Sequence, residues 1–458
     1  MQNWTPDLSG SDKPRYLAIA DVIADEVAAG RLHAGDRLPP QRSLAKRLGV
    51  DFTTVARGYV EAQKRGLVES RVGSGTFVTA ARPRAAAPSR PQLVDLSMNL
   101  PPEPEDEALV GLMREGLAEI SRDLVALLRY QGFGGAQADK DAASAWLGRR
   151  ALVPSQDRVF VTPGAHPALV GIFSTLCEPG DTVLCEAITY PGVRAIAAQL
   201  GLRLVGLPMD ADGVTPDAFA EACARHAPKA IYLNPTLQNP TTLTIPEDRR
   251  AALAEVARGY QTPIVEDDAY GFIPTTKISA FAAIAPDLTW HVAGLAKCIG
   301  AGLRAAYVVA PSARAAWPFA AALRAGNVMA SPLTVALATR WIEDGTADIM
   351  LRFIRAETAA RQNLAAEILP KGSFRADPLS FNLWVPLPAP WGRAAFVAHM
   401  NGAGLGVVAS DAFTADGAPR EAVRVCLGGP TTRAQVASAL EFMAHALEEA
   451  PEIALAVL

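Results

Sequence analysis

One stretch governs how this chain can fold. Residues 80–92, AARPRAAAPSRPQ, hold three prolines and no large apolar residue. Such a segment has nothing to bury, so it reads as an extended linker of roughly 40 Å at about 3.1 Å per residue. It separates a head, residues 1–79, from a body, residues 93–458. Charge divides at the same place. Residues 1–91 carry 14 Lys+Arg against 9 Asp+Glu, and the remainder carries 29 against 38, so a basic head precedes an acidic body. That asymmetry is expected where one end of a chain meets nucleic acid, and also of a small domain with a charged, solvated surface.

The whole chain is 50% hydrophobic, which excludes a disordered or collagen-like protein. No apolar run reaches the ~18–20 residues that a membrane span requires. The opening MQNWTPDLSGSDKPRYL lacks the basic-then-apolar layout of a secretory signal. A soluble, cytoplasmic protein with no membrane contact is the expectation. Cys177, Cys185, Cys223, Cys298 and Cys426 lie far apart, with no Cys-x-x-Cys pair, so neither a metal site nor a redox dithiol is indicated.

Within the head, RYLAIADVIADEVAA (15–29) sets Leu17, Ala20, Ile23, Ala24 and Val27 on one helical face, with Gly30 as a stop. Leu44, Ala45 and Leu48 stripe a second helix that ends at Gly49. Val55, Tyr59 and Val60 are the inward positions of a third, closed by Gly66. LVESRVGSGTFVTA follows as two strands around a Gly-Ser-Gly turn, completing a winged helix-turn-helix layout. The body alternates short apolar runs with Ala-rich amphipathic segments. RVFVT (158–162), TVLCE (182–186), RLVGL (203–207), KAIYLN (229–234), PIVED (263–267), WHVAG (290–294) and AAYVVA (305–310) are the expected strands. This is the pattern of an α/β domain with a mainly parallel sheet. After about residue 330 long helices and a few strands, SFNLWV (380–385) and AVRVCL (422–427), indicate a small α+β lobe.

The head text GRLHAGDRLPPQRSLAKRLGVDFTTVARGYVEAQKRGLVESRVGSGTFV resembles the GntR family of bacterial regulators over residues 15–78. The resemblance places Arg42 and Arg47 at or near the first motif helix and Thr53, Thr54 and Arg57 early on the recognition helix, which meets base edges in the major groove. It makes Gly73, Ser74 and Gly75 the wing tip, with Arg71 beside them for phosphate or minor groove. Asp51-Phe52 stands where many members have Ser-Arg, which bears on the usual base contact at that point, and packing of Phe52 under the helix is an alternative use of the position.

Residues 93–430 resemble the fold-type-I aminotransferases that use pyridoxal 5'-phosphate. The resemblance implies that Lys297, in GLAKCIGAGLR, forms an imine with the cofactor aldehyde. Asp267 in PIVEDDAY would keep the pyridine nitrogen protonated, and Glu266 points to the other side of its strand. Tyr270 and Asn239 would bond the phenolic oxygen. Gly164, Ala165 and His166 would form the phosphate turn at a helix start, joined by Arg304. Tyr190 would stack on the ring, Tyr130 would reach the neighbouring subunit's phosphate, and Arg424 would clamp a substrate carboxylate. The family's usual Ser-x-Ser-Lys reads Gly294-Leu295-Ala296-Lys297 here, and its Asn-Pro-Thr-Gly turn ends in Thr242.

The two halves together resemble the MocR branch of GntR regulators. That implies a homodimer on operator DNA whose body senses an amino acid or amine through Schiff-base exchange at Lys297. The alternative is an active aminotransferase with an ancillary DNA-binding head.

Overall fold

The structure is a computed structural model, and it describes residues 4–6, 14–29, 31–65, 67–71, 75–79, 94–132 and 134–448. The expected linker, residues 80–92, lies outside them, as do Gly30, Gly66, Gly73, Ser74 and the side chain of Arg71. Chain contacts separate into two compact units, residues 1–92 and 93–458.

In the first unit, helices α1 (Arg15–Ala28), α2 (Gln41–Leu48) and α3 (Phe52–Lys64) precede the antiparallel hairpin of β1 (Val68–Arg71) and β2 (Gly75–Val78). α1 and α3 cross closely because Gly58 has no side chain. A Cβ there would stand 3.0 Å from Ile19 Cβ. Ile19, Ala20, Ile23, Leu44, Val55 and Tyr59 fill the core, and Tyr59 donates to the Pro39 carbonyl at 2.8 Å. Gly49 ends α2 at φ +64°, a left-handed conformation that glycine adopts without strain. Asp51 caps α3 by accepting from Thr53 N at 2.8 Å. One expectation and one alternative fail in this unit. Val60 is 52% exposed, one position beyond the buried Tyr59. Phe52 does not pack under the helix but is exposed, with the Arg42 guanidinium 5.7 Å from its ring.

The second unit is built on a seven-stranded sheet. Its strands are β3 (Val159–Thr162), β4 (Thr182–Glu186), β5 (Arg203–Leu207), β6 (Ala230–Leu233), β7 (Ile264–Asp267), β8 (Thr289–Gly294) and β9 (Ala306–Val309), in the order β3-β9-β8-β7-β6-β4-β5. All neighbours pair in parallel except β9, which runs antiparallel to β3 and β8. Alternate residues enter different cores: Val161, Ala293 and Tyr307 join one cluster, and Phe160, Val292 and Val308 another. A sheet covered on both faces reads as continuous apolar runs, which is why these strands show in the sequence.

The small lobe is a three-stranded sheet of β10 (Asn382–Pro386), β11 (Val408–Ala409) and β12 (Ala422–Cys426), order β10-β12-β11. It packs with the long helix Thr346–Ile368 and with Arg433–Glu448 around Leu383, Phe396, Val423 and Leu440. The carboxyl ends of β3, β6, β7 and β8 lie at the same end of the sheet, and in open parallel sheets that end carries the ligand crevice.

Candidate functional site

A cavity of about 510 Å³ opens where those strand ends meet β12 of the small lobe, and ten of the expected site residues line it. Asp267 closes β7. Its Oδ2 accepts from Tyr232 of β6 at 2.7 Å, while Oδ1 is buried without a partner among the described residues. Burial pushes this carboxyl up to about 6, against the Tyr232 hydroxyl, which favours the charged form. Glu266 faces away. It accepts from Phe281 N and Ala282 N and from His291 Nδ1 at 2.8 Å.

Lys297 follows β8 on a short turn, and its ammonium donates to the Asn99 carbonyl. Burial draws this group down to about 8, with Arg424 reinforcing the shift and Asp267 opposing it. The Tyr270 ring lies 5.9 Å from Nζ, and its hydroxyl accepts from Asn99 Nδ2 at 2.9 Å. Asn239 N donates to Asn234 Oδ1 at 2.9 Å, and Asn239 Oδ1 accepts from Arg424 Nη1 at 2.8 Å. Arg424 also donates through Nη2 to the Ser97 carbonyl, and its Nε has no partner among the described residues. No carboxylate pairs with it among the described residues. Glu421 is taken by Arg393.

On the cavity wall the helix Ala165–Leu176 begins, capped by Gly164 at φ +106°. A Cβ on Gly164 would stand 3.2 Å from the Arg304 guanidinium, so glycine lets these donors converge. Arg304 forms no hydrogen bond or ion pair with a described residue, and it holds the half-buried His166 below the usual imidazole range together with burial, the larger cause. Tyr190 lines the wall, and Gly192 makes room for it: a Cβ there would fall 2.1 Å from the ring. Tyr130 is absent from this cavity and is 84% exposed.

These residues fit pyridoxal phosphate. An unpartnered buried carboxylate oxygen suits a ring N–H, and a helix start beside an uncommitted arginine suits a phosphate. Sequence reasoning missed Asn99, Asn234 and Tyr232. Asn234 stands in the NPTLQNP text, so a signal existed for it. Its Nδ2 donates to the Asp267 carbonyl at 2.7 Å, and its N donates to Glu186 Oε1 at 2.7 Å. Among the described residues no group of His, Cys, Asp and Glu is arranged to hold a metal ion, and no helix is long and apolar enough to cross a membrane.

In the head, Arg42 lies on α2 and Thr53, Thr54 and Arg57 on the first turns of α3. Arg47 is also on α2. The exposed Arg57 guanidinium sits 4.3 Å from the Tyr16 ring centroid, a cation–π contact that orients it. The Thr53 hydroxyl donates to Asp51 Oδ1. Gly75 opens β2 at φ +116°, and a Cβ there would meet Arg37 Nε at 2.8 Å. Arg37 is thus a cation beside the hairpin that sequence reasoning did not single out.

Comparison with known proteins agrees with this geometry. The family model for aminotransferase class I and II matches residues 91–442, and that for bacterial regulatory proteins of the gntR family matches residues 15–78. The chain belongs to the class I and II aminotransferase family and carries a gntR-type DNA-binding head. That pairing is the MocR-type arrangement of a GntR regulator. The chain is 27% identical to the uncharacterized HTH-type transcriptional regulator YdeF of Bacillus subtilis (strain 168), over 98% of this chain and 97% of that one. It is 29% identical to the probable rhizopine catabolism regulatory protein MocR of Rhizobium meliloti, over 56% of this chain and 57% of that one. The structure of LysN, an alpha-aminoadipate aminotransferase from Thermus thermophilus, superposes with a TM-score of 0.71 at 22% identity, covering 80% of this chain and 94% of that one. The shared fold is thereby established.

Proposed function

We propose that this protein is a pyridoxal-phosphate-dependent transcription regulator. Its head, residues 1–79, binds operator DNA, and its body, residues 93–458, holds the cofactor and captures an effector that carries an amine and a carboxylate. The observation that carries the reading is the convergence of Lys297, Asp267 Oδ1 and a carboxylate-free Arg424 on one cavity. When bound, pyridoxal phosphate supplies an aldehyde that takes up amines and a ring that withdraws electrons. Lys297, lowered to about 8, offers the neutral amine that tethers it. Asp267 holds a proton at the ring nitrogen, and Tyr270 and Asn239 bond the phenolic oxygen. Gly164, Ala165, His166 and Arg304 bind the phosphate, and Tyr190 covers the ring. Arg424 exchanges its Asn239 and Ser97 acceptors for the effector's carboxylate, orienting the amine.

The protein acts in the cytoplasm as a homodimer. Leu124, Val125, Leu128 and Tyr130 form a run of exposed apolar side chains that a second copy would cover, bringing Tyr130 toward the partner's phosphate. Arg42, Arg47, Thr53, Thr54, Arg57 and Arg71, with Gly73 and Gly75 at the wing, contact the operator. Two heads on a two-fold dimer face a repeated or palindromic site. Absorbance titration of the loaded protein with amino acids and their decarboxylated amines, beside operator mobility shifts, tests the reading. Amino acids that alter both signals support it. Amino acids that alter neither would oppose it.

A further inference from the structure

We infer that Tyr232 is a positioning residue for the cofactor's ring nitrogen: its hydroxyl fixes one oxygen of Asp267 so that the other faces the cavity. The inference rests on the proposed cofactor reading and deepens it. Tyr232 stands on β6, fully buried, beside Asp267 on β7. Its hydroxyl donates to Oδ2 at 2.7 Å, and that is the one hydrogen bond to the carboxylate among the described residues. The Asp267 backbone is pinned separately by Asn234 Nδ2 at 2.7 Å. With the main chain held by Asn234 and Oδ2 by Tyr232, the carboxylate plane has one setting, and in it Oδ1 lines the cavity without a partner.

The bond also bears on charge. Asp267 is faced by Tyr232 from β6, Glu186 from β4, His291 from β8, its neighbour Asp268, Tyr190, Tyr270 and Lys297. Burial and the acids disfavour its ionised form, and Tyr232 is the hydrogen-bond donor that favours it. Burial and Asp267 together hold the Tyr232 phenol far above its usual range, so it stays a donor at any working pH. Without that donor, Asp267 keeps its own proton more readily and turns more freely, and its hold on a protonated ring nitrogen weakens.

The test uses full-length, cofactor-free protein titrated with pyridoxal phosphate and with its 1-deaza analogue, in which carbon replaces the ring nitrogen. Tyr232→Phe keeps the ring and removes the hydroxyl. It should bind pyridoxal phosphate about tenfold more weakly than the native chain and the 1-deaza analogue equally well. If stripping a buried carboxylate of its donor prevents folding, Tyr232→Phe/Asp267→Asn removes that charge and should match Asp267→Asn alone for both ligands. An equal loss for the two ligands, no loss for either, or a further loss in the double variant overturns the inference. If the native chain binds neither ligand, the cofactor reading itself falls, and the inference with it.

Discussion

The guanidinium of Arg424 is buried, pairs with no described carboxylate and keeps Nε without an acceptor among the described residues. A buried arginine whose fork meets an amide oxygen and a carbonyl but no carboxylate among the described residues is poised for a planar anion. Arg424→Ala should therefore weaken amino-acid binding ten- to a hundredfold, or about 1.5–3 kcal/mol, and leave decarboxylated amines unaffected. Absorbance titration with matched pairs measures this, and equal losses for both classes would remove the carboxylate assignment. Lys297 makes a prediction with a sign. Its ammonium is lowered to about 8, and only the neutral amine attacks. The rate of cofactor uptake should climb with pH from about 7 to about 9 and level off above, as stopped-flow absorbance would record. A rate still climbing steeply at about pH 10 would mean an ordinary lysine.

The elements differ in how far the sequence discloses them. Six of the seven central strands stand out as apolar runs because they are buried along their whole length, while the edge strand β5 is only partly covered. The head is legible as three helices and a hairpin, but one face of α1 is not. Periodicity through Leu17, Ala20 and Ile23 passes over Ile19, which is fully buried because Gly58 lets α3 approach it. Close approach depends on a residue far along the chain, which no local pattern encodes. Asn99 escapes for the same reason: its amide reaches Tyr270 across 171 residues. Lys297, Asp267 and Arg424 are legible because their flanking motifs are local. Gly58→Leu should force α1 and α3 apart and cost the head about 1–3 kcal/mol. The urea midpoint for loss of operator binding would fall accordingly. An unchanged midpoint would mean that the crossing is looser than the 3.0 Å approach implies.

In the whole molecule, the proposed function joins a DNA-reading head to a body that binds cofactor and effector. Arg57→Ala should weaken operator binding and lower the salt slope by about one if Arg57 makes the one phosphate contact proposed for it. Lys297→Ala should leave the cofactor-free protein able to bind the same operator while abolishing its response to effector. Mobility shifts over a salt series check both. An Arg57→Ala protein with native affinity and slope would misplace the recognition helix. The proposed function requires that the body hold pyridoxal phosphate on Lys297. Its most direct test is borohydride reduction of the loaded full-length protein followed by peptide mass mapping. One pyridoxyl-phosphate mass addition, carried by Lys297, is expected. An addition on another lysine, or none at saturating cofactor, would contradict it.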